Sequence, residues 1–217
     1  MTTFRAPFKR PKAPRLRPAL LRAPCQGPGY RAASATPCAS PCRRAKLPAA
    51  VERAAARSRI LDILELTPRT YAVSTIHRAE NTDDPERLAR VVAWLEEAAL
   101  TQPVVMAVHP RTRKLLERNG IAPRGLRLVD PLGYLDMTQL VHHAASVFTD
   151  SGGLQKEAYF HRVPCVTLRD ETEWVETIEA GWNRLWTEDR YKPRREIPDY
   201  GDGRSAAVVA ELMHALV

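Results

Sequence analysis

The stretch TDSGGLQKEA (residues 149–158) closes an apolar run, turns through Ser-Gly-Gly and continues as a helix-like segment. A strand that passes into a helix within three residues is the junction of an α/β protein, because parallel strands need a crossover between them. The pattern repeats on both sides. TYAVSTIH (70–77) is β-rich; after it Asp83 or Asp84 supplies a helix cap and Pro85 suits the first turn, with Leu88, Val91, Val92 and Leu95 on one stripe. PVVMAVHP (103–110) is the continuous apolar run of a strand buried on both faces, and a basic helix from about Arg111 stops at Gly120.

LRLVDPL (126–132), ASVFTD (145–150), PCVTLR (164–169) and the short NRLW read as further strands. YLDMTQLVHHA, GGLQKEAYF and ETEWVETIEAG, the last closed by Gly181, read as the helices between them, and RSAAVVAELMHAL as a terminal helix. Strands separated by single helices predict a Rossmann-like, doubly wound parallel sheet. Ligands of such sheets bind beyond the carboxyl ends of the strands. His77, His109, Asp130 and the Asp150-Ser151-Gly152-Gly153 turn all fall there, on one rim.

Two glycines let the backbone approach a ligand, and the free amides of the next helix's first turn suit a phosphate, with the Ser151 hydroxyl beside them. The same glycines also serve a plain strand-to-helix turn. Glu157 lies one helical turn after Gly153; its carboxylate suits a sugar diol, or else is solvated and paired with Lys156 or another cation. His77 suits phosphate contact or proton transfer, or caps a neighbouring carbonyl. His142 and His143 read as ordinary mid-helix residues, and His161 as part of a surface loop.

The net charge of +8 is unevenly spread. Residues 1–50 hold eleven of the 33 Lys and Arg and no Asp or Glu, so the remainder carries 22 basic against 25 acidic residues. Those 50 residues also contain nine of the 18 prolines and Cys25, Cys38 and Cys42, without sustained apolar periodicity, and are expected to be a disordered leader, functionless or artefactual. Frequent proline argues against a transit peptide, and scarce aromatics argue against a nucleic-acid arm. Cys38 and Cys42 lack a second pair at zinc spacing, so no metal site is expected. No segment has the length of a membrane span or the apolar core of a secretory signal, and the body holds one cysteine, Cys165. A soluble, cytoplasmic chain with one ordinary domain at 51–217 is expected.

TIHRAENTDD, VHPRT, DPLGYLDM, TDSGGLQKEA and PCVTLRDETEW followed by EAGWNRL closely resemble the carboxyl half of the non-hydrolysing UDP-N-acetylglucosamine 2-epimerases, in order, from about residue 53 to the end. The resemblance implies the carboxyl-terminal domain of a fold similar to B-type glycosyltransferases, with the active site between two Rossmann-like domains. It implies interconversion of UDP-N-acetylglucosamine and UDP-N-acetylmannosamine, for polysaccharide biosynthesis, without a redox cofactor or metal. The route is elimination of UDP to 2-acetamidoglucal and re-addition with the proton returned to the opposite face. Ser151, Gly152 and Gly153 would hold the diphosphate, Glu157 the ribose, and His77 would be the essential histidine beside the reacting end. Arg78 and His109 match positions that in some relatives contact a second, activating UDP-sugar, and Thr172, Glu173 and Trp174 would face the sugar and phosphates.

Met137 stands where relatives often place an aromatic near the uracil, Val175 replaces a common proline, and Arg162 a common glycine at a turn that strains it if positive φ is required. The family's amino-terminal domain, which supplies the acids that move the C2 proton, has no counterpart in these residues. The expectation is therefore an epimerase-family protein with part of an active site, acting as a homodimer or with a separate amino-terminal half. The alternatives are a UDP-binding module without turnover and, less well matched by RDETEW and HRAEN, a glycosyltransferase remnant.

Overall fold

The computed structural model describes residues 47–200 and His214. The cysteine-bearing leader up to residue 46 and all of the expected terminal helix except His214 lie outside the described residues. Six strands form one sheet: β1 (Ala72–Ile76), β2 (Val104–Val108), β3 (Leu126–Val129), β4 (Ser146–Thr149), β5 (Cys165–Thr167) and β6 (Asn183–Leu185). Their spatial order is β3-β2-β1-β4-β5-β6, every pair parallel. The order reverses between β1 and β4, so the carboxyl ends of these two neighbours form the switch point of the sheet.

The helices are α1 (Leu47–Arg57), α2 (Ile60–Ile63), α3 (Ala79–Thr82), α4 (Pro85–Ala99), α5 (Pro110–Arg118), α6 (Tyr134–His143), α7 (Gly152–Phe160) and α8 (Val175–Glu179), with a 3-10 turn at Pro198–Tyr200. Helix α1 opens at Leu47 and so runs across the boundary expected at residue 50. The short α3 was not legible in the sequence. Asp84 caps α4, accepting from the Glu86 amide at 2.9 Å, with Pro85 in the first turn. Gly120 and Gly181 take φ of +64° and +68° after α5 and α8. Arg162 takes φ of +59°, the left-handed turn anticipated where relatives carry glycine.

Two apolar layers sandwich the sheet. On one face Leu88, Val91 and Leu95 of α4 pack with Ile76, Met106 and Phe148, and Trp94 meets Phe148 edge-on at 5.1 Å between ring centroids. On the other, Leu140 and Val141 of α6 and Leu154 and Ala158 of α7 pack with Val73, Val105 and Val147. Burial on both faces is why β2 and β4 are apolar or uncharged throughout. His161 departs from its expected surface position: it caps the carboxyl end of α7 and is buried, its Nδ1 3.3 Å from that of His142. Burial lowers its pKa to about 4, so it is a neutral core histidine.

Candidate functional site

Strands β1 and β4 run in register, Thr75 opposite Thr149, with their hydroxyls 2.6 Å apart. Their ends therefore deliver His77 and Asp150 to the same point. Asp150 is fully buried. Its carboxylate accepts from the His77 amide at 3.0 and 3.2 Å, the Arg78 amide at 2.9 Å and Asn81 Nδ2 at 3.1 Å. His77 Nδ1 lies 3.2 Å from Asp150 Oδ1. The hydrogen bond to Asp150 raises the His77 pKa above its ordinary value, against partial burial and the Arg78 charge. For Asp150, burial pushes the pKa up, but the His77 bond and the two amides outweigh it and keep the carboxylate ionised.

One residue on, Ser151 caps α7: its Oγ accepts from the Leu154 amide at 3.4 Å, and its own amide donates to Thr149 Oγ1 at 2.9 Å. Gly152 is buried beneath the loop that follows β5; a β-carbon there would sit 2.7 Å from Trp174 Nε1 and 2.8 Å from Glu173 Oε1. A β-carbon there would require Trp174 and Glu173 to shift. At Gly153 a β-carbon would meet nothing nearer than Ser151 Oγ at 3.8 Å, so the second turn position is open.

Glu173 bridges two cations, Arg78 Nη2 at 2.9 Å and Arg169 Nη1 at 2.5 Å. Arg169 continues to Glu80 at 3.0 Å, Glu80 to Arg87 at 3.3 Å, and Arg87 to Asp170 at 2.6 Å and Asn81 Oδ1 at 2.8 Å. Thr172 ties the same loop to α7, donating to Gln155 Oε1 at 2.7 Å and accepting from the Trp174 amide at 3.1 Å. Gln155 Oε1 also accepts from Asn183 Nδ2 at 3.1 Å, and that buried amide reaches Thr167 at 2.9 Å and Thr177 at 3.2 Å. Asn183, the asparagine of EAGWNRL, thus fastens the loop to β5, α7 and α8 from beneath.

Lys156 does not pair with Glu157; its ammonium lies 3.4 Å from the centroid of the Trp174 ring. The Glu157 carboxylate takes no hydrogen bond or ion pair from the described residues, and burial raises its pKa. Trp174 Nε1 is likewise a buried donor without a partner among the described residues. His109 follows Val108 as His77 follows Ile76, and those two residues are paired across β1 and β2. His109 caps α5, its Nδ1 accepting from the Arg111 amide at 3.2 Å. Met137, in the first turn of α6, is partly buried against the α6–α7 layer.

The fold therefore brings His77, Arg78, Ser151, Gly152, Glu173 and Trp174 together, with Thr172 beneath them and His109 one strand away. Asp150, Asn81 and Arg169 carry as much of the geometry, yet had no assigned role in the sequence reading. The one available signal was a carboxylate ending an otherwise uncharged strand, directly before Ser-Gly-Gly.

A family model described as UDP-N-acetylglucosamine 2-epimerase matches residues 45–214. The chain belongs to the UDP-N-acetylglucosamine 2-epimerase family. A UDP-N-acetylglucosamine 2-epimerase homolog from Methanococcus maripaludis is 41% identical over 175 residues, covering 73% of this chain and 48% of the relative. A UDP-2,3-diacetamido-2,3-dideoxy-D-glucuronate 2-epimerase from Pseudomonas aeruginosa is 50% identical over 116 residues, covering 53% of this chain and 32% of the relative. The solved structure of the Methanocaldococcus jannaschii UDP-GlcNAc 2-epimerase in complex with UDP-GlcNAc and UDP superposes with a TM-score of 0.66 at 29% identity, over 78% of this chain and 52% of that one. This epimerase-family chain spans about half the length of the M. maripaludis and M. jannaschii relatives. None of its described helices is long and apolar enough to cross a membrane.

Proposed function

We propose that this chain forms the UDP-binding part of a UDP-N-acetylglucosamine 2-epimerase site. The observation that carries the reading is the meeting of His77 with the Asp150-Ser151-Gly152 turn at the switch point of the sheet. The first-turn amides of α7 and the Ser151 hydroxyl receive the diphosphate, with Arg78 near the same charge. Glu157, a partly desolvated carboxylate without a protein partner among the described residues, accepts from the ribose hydroxyls. Met137 packs beside the uracil, and Thr172, Glu173 and Trp174 border the sugar. Arg78 and His109 also border the place of a second UDP-sugar. In this reading the site needs neither a metal nor a redox cofactor.

In the elimination, the C2 proton passes to a base, the C2–H electrons become the C1=C2 double bond, and the C1–O pair leaves with UDP. Re-addition reverses these steps and returns a proton to the other face of C2. His77 and the rim amides stabilise the departing diphosphate, whose developing charge is the electrostatic burden of the step. The acids that handle the C2 proton belong to the amino-terminal part of the family's site, in the same polypeptide, in a second copy or in a separate half. Polysaccharide biosynthesis would use the product.

The high identity to the P. aeruginosa relative favours a second reading, in which the sugar is UDP-2,3-diacetamido-2,3-dideoxy-D-glucuronate. Proton NMR of the chain with each UDP-sugar, with saturation transfer recorded in the same sample, tests both readings. Saturation transfer to uridine and ribose is expected for UDP itself, and new anomeric signals identify the sugar that turns over. His77→Ala should abolish turnover while leaving saturation transfer to UDP in place. Saturation transfer to neither nucleotide nor sugar would refute UDP binding.

A further inference from the structure

Asp150 has an environment unusual for a buried carboxylate. Among the described residues no lysine or arginine side chain pairs with it, and its ion-pair neighbour is His77. Oδ2 is occupied by three donors, the amides of His77 and Arg78 and Asn81 Nδ2. Oδ1 takes the longer bond from the His77 amide at 3.2 Å and stands 3.2 Å from the imidazole Nδ1. A fully buried carboxylate is costly unless its acceptor sites are filled, and the imidazole Nδ1, 3.2 Å from Oδ1, is placed to fill the remaining one. Asn81, which orients the other oxygen, is itself anchored to the Leu168 carbonyl at 2.8 Å and to Arg87 at 2.8 Å. The carboxylate therefore cannot swing away to follow His77; the histidine must follow it.

We infer that Asp150 is a positioning residue for His77: it receives the imidazole by Nδ1, fixes the proton on that nitrogen in the neutral ring, and leaves Nε2 as the nitrogen that exchanges a proton or meets the ligand. This rests on the reading of His77 as the histidine at the reacting end. A carboxylate behind an imidazole favours the protonated ring, the form whose Nε2–H donates to a departing diphosphate. The charged groups acting on His77 are Asp150 at the end of β4 and Arg78 beside it, and Arg78 is in turn paired with Glu173 of the loop after β5. Asp150 is the one in contact with the ring.

A purely structural Asp150, serving only to tie down the amides at the end of β1, would leave the ring's tautomer and titration untouched. The test is long-range imidazole nitrogen–proton correlation on the full ¹⁵N-labelled chain, with His77 assigned by the signal lost in His77→Gln. The neutral ring of the wild-type chain should carry its proton on Nδ1, and its midpoint should lie above the ordinary value of about 6.5. In Asp150→Asn, which keeps the shape and loses the charge, the midpoint should move toward acid. Asn81→Ala, which retains the carboxylate charge, should leave the midpoint above the ordinary value. A neutral ring protonated on Nε2, or an Asp150→Asn titration coincident with wild type, would overturn the assignment. If Asp150→Asn does not fold, the wild-type tautomer alone decides. No nucleotide enters these spectra, so their failure and a failure of UDP binding are separate results.

Discussion

Gly120 and Gly181 provide a matched pair for separating backbone strain from packing. Both end a helix in the left-handed region, at φ of +64° and +68°. A β-carbon at Gly120 would meet nothing within 4 Å, whereas at Gly181 it would strike the backbone carbonyl oxygens of Lys192 and Pro193, the latter at 2.7 Å. Gly120→Ala should therefore show only the conformational penalty, about 1–2 kcal/mol. Gly181→Ala should add an overpacking cost of about 1–3 kcal/mol, because backbone cannot rotate out of the way as a side chain can. The expected difference between the two variants is thus about 1–3 kcal/mol. Urea unfolding followed by far-ultraviolet circular dichroism measures it, provided the slope stays constant across wild type and both variants. Equal costs for both substitutions would show that the 192–193 segment yields freely and that its packing on Gly181 carries no energy. Because Thr177 of α8 donates to the Trp174 carbonyl at 2.7 Å, the Gly181 variant should also weaken UDP binding through the loop, and Gly120→Ala should not.

Glu157 carries a stability cost whose sign follows from its raised pKa. The native carboxyl retains its proton to higher pH than the unfolded one, so this group's contribution falls as pH rises from the ordinary value of 4.5 through the native pKa. Glu157→Gln should raise the urea midpoint at pH 7 and lose that advantage below pH 4; an unchanged midpoint at pH 7 would contradict the burial. Glu157→Ala should weaken UDP more than inorganic pyrophosphate in calorimetric titration, and equal weakening would remove the ribose assignment. Asn183→Ala should cost about 2–4 kcal/mol in urea unfolding, since it strips Thr167 and Thr177 of a buried partner. A cost under about 1 kcal/mol would mean that water replaces the amide.

The elements were legible where one local rule dominates. The central strands β2 and β4 stood out because a sheet covered on both faces requires apolar runs, and helix limits stood out at Asp83 or Asp84, Gly120 and Gly181, where capping chemistry and positive φ leave few residue choices. The Ser-Gly-Gly turn was legible as a possible anion cradle for the same local reason. The family followed from motifs whose residues are spread along the chain yet share the rim.

What the sequence left undecided depends on which neighbours the fold supplies. The Asp150 carboxylate reads only as a strand-end acid until β1 is set beside β4 and His77 is delivered to it. His161 reads as a polar loop residue until α6 brings His142 against it and burial keeps it neutral. Gly152 reads as a flexible turn residue until the loop after β5 folds Glu173 and Trp174 over it, when it becomes a position where a β-carbon would displace both side chains. The amino-acid order determined the elements and the rim, because dihedral preference and burial period act within a few residues. Strand order and the charge partners of the site were decided only by tertiary structure, because they join residues about 70 to 95 positions apart, whose meeting no local preference encodes.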